Sequence, residues 1–200
     1  HARQDMLVEA IEIIRALHTG DLVTYDGEYF RVDSARVWDA PDGGVPIGVA
    51  VSGEHSIARF APLGDHLITT EPDAEIVQGW DEHHDGESRK IGHIPISWDP
   101  DKDAAIARAH DQFRWFAGGW AVNADLPTPA GFAGASQFVR PEDVAESIAC
   151  GPDLDELAES VRPFIDAGFT DIAIVQVGDE KQQQFVDEVA APLLEKLRAL

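Results

Sequence analysis

Met6, Leu7, Ala10, Ile13, Ile14 and Leu17 recur at three- and four-residue spacing. That period predicts an amphipathic helix over residues 4–18, with Gly20 in the usual closing position. Leu22–Tyr25 and Glu28–Val32 then flank Asp26-Gly27, which predicts a hairpin with a two-residue turn. An apolar run from Val45 to Val51 stops at Ser52-Gly53. Residues 54–61 are helix-compatible, and a second apolar run, Leu67–Thr70, follows Gly64-Asp65. Strand, small-residue turn, helix, strand is the βαβ unit of a parallel sheet.

The alternation continues. Pro72-Asp73 opens a helix over about residues 73–84, and Ile91–Trp98 reads as a strand. Asp99-Pro100-Asp101 then caps a helix with apolar positions Ala104, Ala105, Ile106, Ala109, Phe113 and Phe116. Periodicity disappears over about 117–140, where Gly, Pro, Ala, Asn and aromatics dominate. A stretch that long predicts a functional insertion or lid over a strand end. Helix resumes at Pro141-Glu142-Asp143 and over 153–167, residues 171–177 (DIAIVQV) form the last strand, and 180–200 the last helix. Four rounds of strand and helix predict an α/β fold, a parallel sheet with helices outside, in a single domain over residues 1–200. A doubly wound sheet and a (β/α) barrel both have this order. G-x-G-x-x-G is absent after the first strand, which removes the main support for a doubly wound nucleotide site. Four units are half of an eight-strand barrel.

Hydrophobic content of 44% and charged content of 26% are ordinary for a globular protein. The net charge of −22 is not ordinary, and it argues against binding nucleic acid or anionic membranes, whose phosphates it would repel. Cys150 is the only cysteine, so no internal disulfide forms, which fits a reducing compartment. No signal peptide is present, and no apolar run approaches the ~20 residues that span a bilayer. The expectation is a cytoplasmic enzyme or binding protein. The chain opens on His1 and is almost at once in a helical pattern, so it is expected to be the interior of a longer protein.

Few motifs carry chemistry. His83-His84 beside Asp81, Glu82 and Asp85 lacks H-E-x-x-H spacing, and Asp99-x-Asp101-x-Asp103 fails as a calcium loop because Ala104 and His110 occupy its sixth and twelfth positions. No metal site is expected. Cys150 precedes Gly151-Pro152 with no activating neighbour, and neither a nucleophile elbow nor a phosphate-binding P-loop occurs. Trp115, Trp120, Phe113, Phe116 and Phe132 gather around the insertion, and Trp120, in its irregular part, is a candidate wall of a ligand cavity. In a barrel the strand ends would form the catalytic face: Val51-Ser52-Gly53, Thr69-Thr70-Glu71, Trp98-Asp99 and Gln176-Val177-Gly178. Backbone N–H groups at Ser52, Gly53 and the helix that follows are candidate donors to an anion such as a phosphate.

The segments RQDMLVEAIEIIRALHTGDLVTYDGEYFRVDSARVWDAPD, PDGGVPIGVAVSG, GDHLITTEPD, ISWDPD and DAGFTDIAIVQVG together resemble the luciferase-like superfamily. Within it they are similar to the branch that uses the deazaflavin coenzyme F420, related to F420-dependent glucose-6-phosphate dehydrogenase. The resemblance implies a (β/α)8 TIM barrel with insertions, of which this chain is the C-terminal half. It further implies hydride transfer at C5 of a deazaflavin whose phosphate-bearing tail is held at Val51, Ser52 and Gly53. The family's catalytic His, Trp and Glu would lie upstream of residue 1, leaving no catalytic residue in the chain. Thr70, Trp98 and Trp120 are the expected substrate-pocket residues. The two Lys and one Arg that hold a sugar phosphate in that branch correspond to Asp73, approximately Ala121, and Ser147, which implies an uncharged alcohol, ketone or enone instead. An FMN-dependent monooxygenase of the same fold is the alternative enzyme. A non-catalytic half-barrel that pairs with a second copy, or with the N-terminal half, is the alternative of another class, and a homodimer is the expected assembly.

Overall fold

The computed structural model describes residues 2–200, the side chain of Trp120 excepted. The chain divides into two compact units, His1–Gly92 with Asp166–Asp171, and His93–Ile165 with Ile172–Leu200. No helix among the described residues is long and apolar enough to cross a membrane.

In the first unit α1, Ala2–His18, buries Ile11 and Ile13. Strands β1 (Val23–Asp26) and β2 (Arg31–Ala35) pair antiparallel, with Tyr25 opposite Val32 and Asp26 opposite Arg31. The turn therefore spans Gly27 to Phe30 and is not the two-residue Asp26-Gly27 turn that the spacing predicts. The cause lies on α1. The Glu9 carboxylate accepts the backbone N–H groups of Glu28 (2.8 Å), Tyr29 (3.0 Å) and Phe30 (3.1 Å), which holds those residues out of the ladder. Near the far end β2 carries an extra residue opposite β1, where Ser34 takes a positive φ of 53° and its N–H bonds Thr24 Oγ1 at 3.2 Å.

Strand β3 (Gly48–Ala50) pairs in parallel with β4 (His66–Thr69), and β4 pairs in parallel with the start of β5 (Lys90–Ser97) through Leu67–Lys90, Ile68–Ile91 and Thr69–Gly92. Between them run α2 (Glu54–Phe60) and α3 (Ala74–His83), the crossovers that parallel pairing requires. The buried side chains are Val49, Val51, Ile57, Phe60, Leu67, Ile76, Val77 and Trp80. Gly64 is set by close approach, because a Cβ there would collide with Val49 and come within 3.2 Å of the Trp80 ring. Trp80, fully buried, stacks on His84 and donates its indole N–H to Ser88 Oγ at 2.9 Å. Asp65 ties the start of β3 to α1: it accepts the Ile47 N–H at 2.6 Å and the Arg15 guanidinium at 3.0 Å.

In the second unit β5 continues, pairing in parallel with the two-residue strand β6 through Ile96–Ala149 and Ser97–Cys150, and with β7 (Asp171–Gln176). The helices are α4 (Lys102–Phe113), α5 (Gly119–Asn123), α6 (Pro129–Ala135), α7 (Pro141–Ala145), α8 (Leu154–Glu159), α9 (Arg162–Asp166), α10 (Gln182–Gln184) and α11 (Ala190–Leu197). One core gathers Ile96, Trp98, Leu157, Phe185, Val189 and Leu193; another gathers Ala105, Ala109, Val144, Ile148 and Cys150. Four strands, β3, β4, β5 and β7, precede helices as the alternation predicts; β6 adds a fifth. The helix predicted over 153–167 is broken into α8 and α9 before Pro163, whose ring excludes a regular turn there. The last helix is interrupted by a π-helical turn, Phe185–Val189, in which the Ala190 N–H reaches back to Phe185 O; Pro192, with no N–H to give, lies in the first turn of α11 that follows.

Removing the Glu9 carboxylate leaves three loop amides to water. Glu9→Ala is expected to destabilise the chain by about 1–2 kcal/mol in urea denaturation, with the hairpin amides of Glu28, Tyr29 and Phe30 exchanging faster than those of β4. Unchanged exchange at those three amides would show that the hairpin holds its turn without α1.

Candidate functional site

The turn after β3 has three of its donors already engaged. The Val51 N–H continues the ladder to Ile68 O at 3.1 Å, and the Val51 side chain is buried. The Ser52 and Gly53 N–H groups both point to Ser56 Oγ at 3.3 Å, and that hydroxyl donates to Gly53 O at 2.7 Å. The donor set anticipated from sequence therefore contracts. What remains are the amides of Glu54 and His55, which begin α2 and have no intrahelical acceptor. Gly53 itself is extended (φ −178°), and a Cβ added to it would meet nothing within 4 Å. The turn thus leaves open space beside the start of α2.

The groove that runs from this turn along α2 and α3 holds about 440 Å³ and is acidic, lined by Glu54, Asp73, Glu75 and Glu82 along with Ser52 and Gly53. Asp73 caps α3 by accepting the Glu75 N–H at 2.8 Å. Four carboxylates and no Lys or Arg line the groove, so it repels a phosphate dianion. Thr70, just past β4, is exposed, whereas the preceding Thr69 is buried and accepts the Glu71 N–H at 3.2 Å. Ala121 and Ser147 are exposed.

Trp98 follows β5 directly and is only 6% exposed, packed in the second unit's core against Phe185. Its backbone is held by the Gln176 side chain, which accepts the Trp98 N–H at 2.9 Å and donates to Trp98 O at 3.0 Å. Beside it lies a cluster that the sequence reading touches only in part. The Arg108 guanidinium, on α4, pairs with the buried Asp99 carboxylate and donates to Trp98 O at 3.3 Å, while Lys181 Nζ lies 3.8 Å from Asp99. Burial pushes the Asp99 carboxyl upward; the Asp101 amide, Arg108 and Lys181 outweigh it and leave the carboxyl below the ordinary value. Gly178, at φ +85°, makes room for Arg108, whose Cδ a Cβ there would strike. Asp99, Gln176 and Gly178 were legible as strand-end residues. Arg108 had one signal, an arginine next to Ala105 and Ala109, whose small side chains leave a long cation room on the buried face of α4.

The irregular stretch contains α5 and α6. It brings together Phe113, Trp115, Phe116 and Phe132, with Trp115 ring centroids 5.5 Å from Phe113 and 6.1 Å from Phe132. Trp120 belongs to α5, and its side chain lies outside the described residues. Cys150 is buried, its Sγ 3.1 Å from Ile148 O, and burial raises its thiol pKa to about 11, so it is no nucleophile. His83 and His84 bond the backbone carbonyls of Gly79 and Ala61, and among the described residues no group of three His, Cys, Asp or Glu is placed to hold a metal.

The family model described as luciferase-like monooxygenase matches residues 1–171. The chain is similar to the F420-dependent glucose-6-phosphate dehydrogenase of Nocardia farcinica, with 31% identity over 212 residues covering 97% of this chain and 61% of that protein. The protein of the same name from Mycobacterium tuberculosis is 28% identical, with the same coverage of 97% and 61%. The chain thus spans about three fifths of the length of these curated relatives. Among solved structures, an F420-dependent secondary alcohol dehydrogenase in complex with an F420-acetone adduct superposes with a TM-score of 0.77 at 23% identity, covering 98% of this chain and 62% of that one. That likeness shows the fold, an α/β chain with a parallel sheet that matches part of a luciferase-like barrel.

Asp99 is the partner of a mostly buried guanidinium, so Asp99→Asn is expected to cost about 2–4 kcal/mol at neutral pH by stranding Arg108. Because the folded carboxyl titrates below the unfolded one, this stabilisation is complete above the unfolded value of about 4 and fades as the pH falls through the lower folded value. Urea titrations of both proteins between neutral pH and about pH 3 test this: the gap between wild type and Asp99→Asn should narrow on acidification. A gap that stays constant removes Asp99 ionisation as its cause.

Proposed function

We propose that this chain, which belongs to the luciferase-like monooxygenase family, is part of an F420-dependent oxidoreductase acting on a small, non-phosphorylated alcohol, carbonyl or enone. The observation that carries the reading is the turn after β3: an open Gly53 and free helix-start amides, at the C-terminal end of a parallel strand, in a chain similar to F420-dependent dehydrogenases over almost its whole length. When bound, the deazaflavin supplies the hydride-accepting or hydride-donating carbon; the protein supplies binding and orientation. Val51, Ser52 and Gly53 form the turn that would hold the anionic tail. Val51 and Ser56 fix its backbone, and the amides of Glu54 and His55 are its donors. No residue of the chain is assigned to the chemical step.

The acidic groove beside the turn supports the substrate class. Asp73 stands where the sugar-phosphate enzymes of the branch are expected to carry a cation, and it shares that groove with Glu54, Glu75 and Glu82. Thr70, exposed past β4, remains a proposed substrate contact; Trp98 would act there only through the backbone that its buried indole anchors. Among the described residues β3 pairs only with β4 and β7 only with β5. Those open edges favour assembly with another copy, which native mass measurement would read as a dimer.

Cofactor titration of the full-length protein tests the proposal, since deazaflavin and flavin differ in absorption and fluorescence. F420 should bind saturably and FMN should not compete; tighter FMN binding would move the protein to the monooxygenases. Asp and Asn are both good helix N-caps, so Gly53→Asp and Gly53→Asn should leave the thermal midpoint unchanged. Gly53→Asp should weaken F420 by about tenfold or more through repulsion of its anionic tail, and Gly53→Asn by less. F420 reduction driven by glucose 6-phosphate would overturn the substrate class.

A further inference from the structure

The second unit contains a cavity of about 570 Å³ between the end of α4 and α6. Trp115, Pro127, Pro129 and Phe132 supply its apolar wall. Its neutral polar groups are already engaged. Thr128 Oγ1 caps α6 by accepting the Gly131 N–H at 3.3 Å, the Ser136 hydroxyl donates to Phe132 O at 2.7 Å, and the Trp115 indole N–H donates to Gln112 O at 2.9 Å. The two remaining polar groups on its lining are charged, Arg114 and Asp111.

Arg114 is exceptional in this chain. It is half-buried, and among the described residues no carboxylate lies within ion-pair distance of it, although the chain carries 37 acidic residues against 15 basic ones. Every other half-buried cation is paired: Arg59 with Asp5, Lys90 with Asp81, Arg108 with Asp99, Arg162 with Glu159, Lys181 with Asp99 and Lys196 with Asp155. Even Asp111, in the last turn of α4 three residues before it, does not reach it. A guanidinium left without a carboxylate at the edge of an aromatic cavity has its fork of donors available to a ligand.

We propose that this cavity binds an apolar molecule bearing a single carboxylate, with the hydrocarbon or aryl body against Trp115 and Phe132 and the carboxylate on Arg114. The volume is that of a small-molecule site, and an apolar wall with one convergent charge is the usual composition of such sites. A dianion is disfavoured because Asp111 shares the lining. The site stands independently of the hydride-transfer reading, and its test needs no deazaflavin.

Isothermal titration of the full-length protein with 4-phenylbutyrate, 4-phenylbutanol and 4-phenylbutylamine separates the alternatives, since the three share a body and differ in the head group. The acid should bind most tightly. Arg114→Gln should weaken the acid by about tenfold and leave the alcohol within about twofold, with an unchanged thermal midpoint because Arg114 has no internal partner to lose. Ala133→Trp, which fills the cavity from α6, should abolish binding of the acid and the alcohol while the far-ultraviolet circular dichroism stays that of the wild type. Equal affinity for acid and alcohol, tighter binding of the amine, an unaltered acid affinity in Arg114→Gln, or no saturable binding of any probe would each overturn the proposal.

Discussion

The parallel sheet depends on one strand keeping its backbone paired over eight residues while its partners change. β5 is engaged by β4 as far as Gly92 and by β6 from Ile96 onward, while its carbonyls at Lys90 and Ile96 accept the N–H groups of Thr170 and Val177 at the two ends of β7. Pro95 has no N–H, and in a central strand that would ordinarily break the ladder. Here it falls in the interval 93–95, which neither the β4 register nor the β6 register claims. At the far end, where Trp98 leaves the sheet, the Gln176 amide continues the ladder by serving both the N–H and the C=O of that residue. The Gln176 side chain thus extends the backbone pairing of the strand one residue beyond its last ladder position.

Scarcity of cations shapes the rest. With 15 basic residues against 37 acidic ones, most arginines are committed to fixing elements together, Arg15 to Asp65, Arg59 to Asp5 and Arg108 to Asp99. The exposed pairs contribute little individually, but the Arg108–Asp99 pair is largely removed from water and its geometry is demanding. Surplus carboxylates are left to line the groove beside Gly53. Among the described residues the donors left without a carboxylate are then of two kinds, the backbone amides that open α2 and one half-buried arginine, Arg114.

Strongly periodic segments were legible in the sequence. The opening helix, the βαβ unit around Ser52-Gly53, the strand ending at Trp98 and the helix capped by Asp101 are all present, because local pattern and burial agree there. The departures arise where a distant residue or a proline outweighs local pattern. Asp26-Gly27 is a good two-residue turn in isolation, yet Glu9, 19 to 21 residues away in the chain, captures the amides that follow it. Pro163 and Pro192 interrupt helices whose hydrophobic spacing runs through them, and β6, two residues long, has no period to detect. The turn after β3 is present where the pattern puts it, but fewer of its amides are open than the spacing suggests, because the Ser56 hydroxyl occupies two of them. Trp98 reads as a strand-end pocket residue and is instead packed on Phe185, a contact that no local spacing encodes.

Cys150 links this pairing pattern to motion. It lies opposite Ser97 in the two-pair ladder of β5 and β6, the residue is 7% exposed, and its raised pKa keeps the thiol protonated in neutral solution. Burial that shields the sulfur and keeps it protonated is relieved by local opening around β6, so alkylation requires such an opening. The chain therefore carries a clock of its own at the edge of the strand-end cluster. The rate at which its single sulfur is alkylated measures how often that edge breathes, without any introduced label.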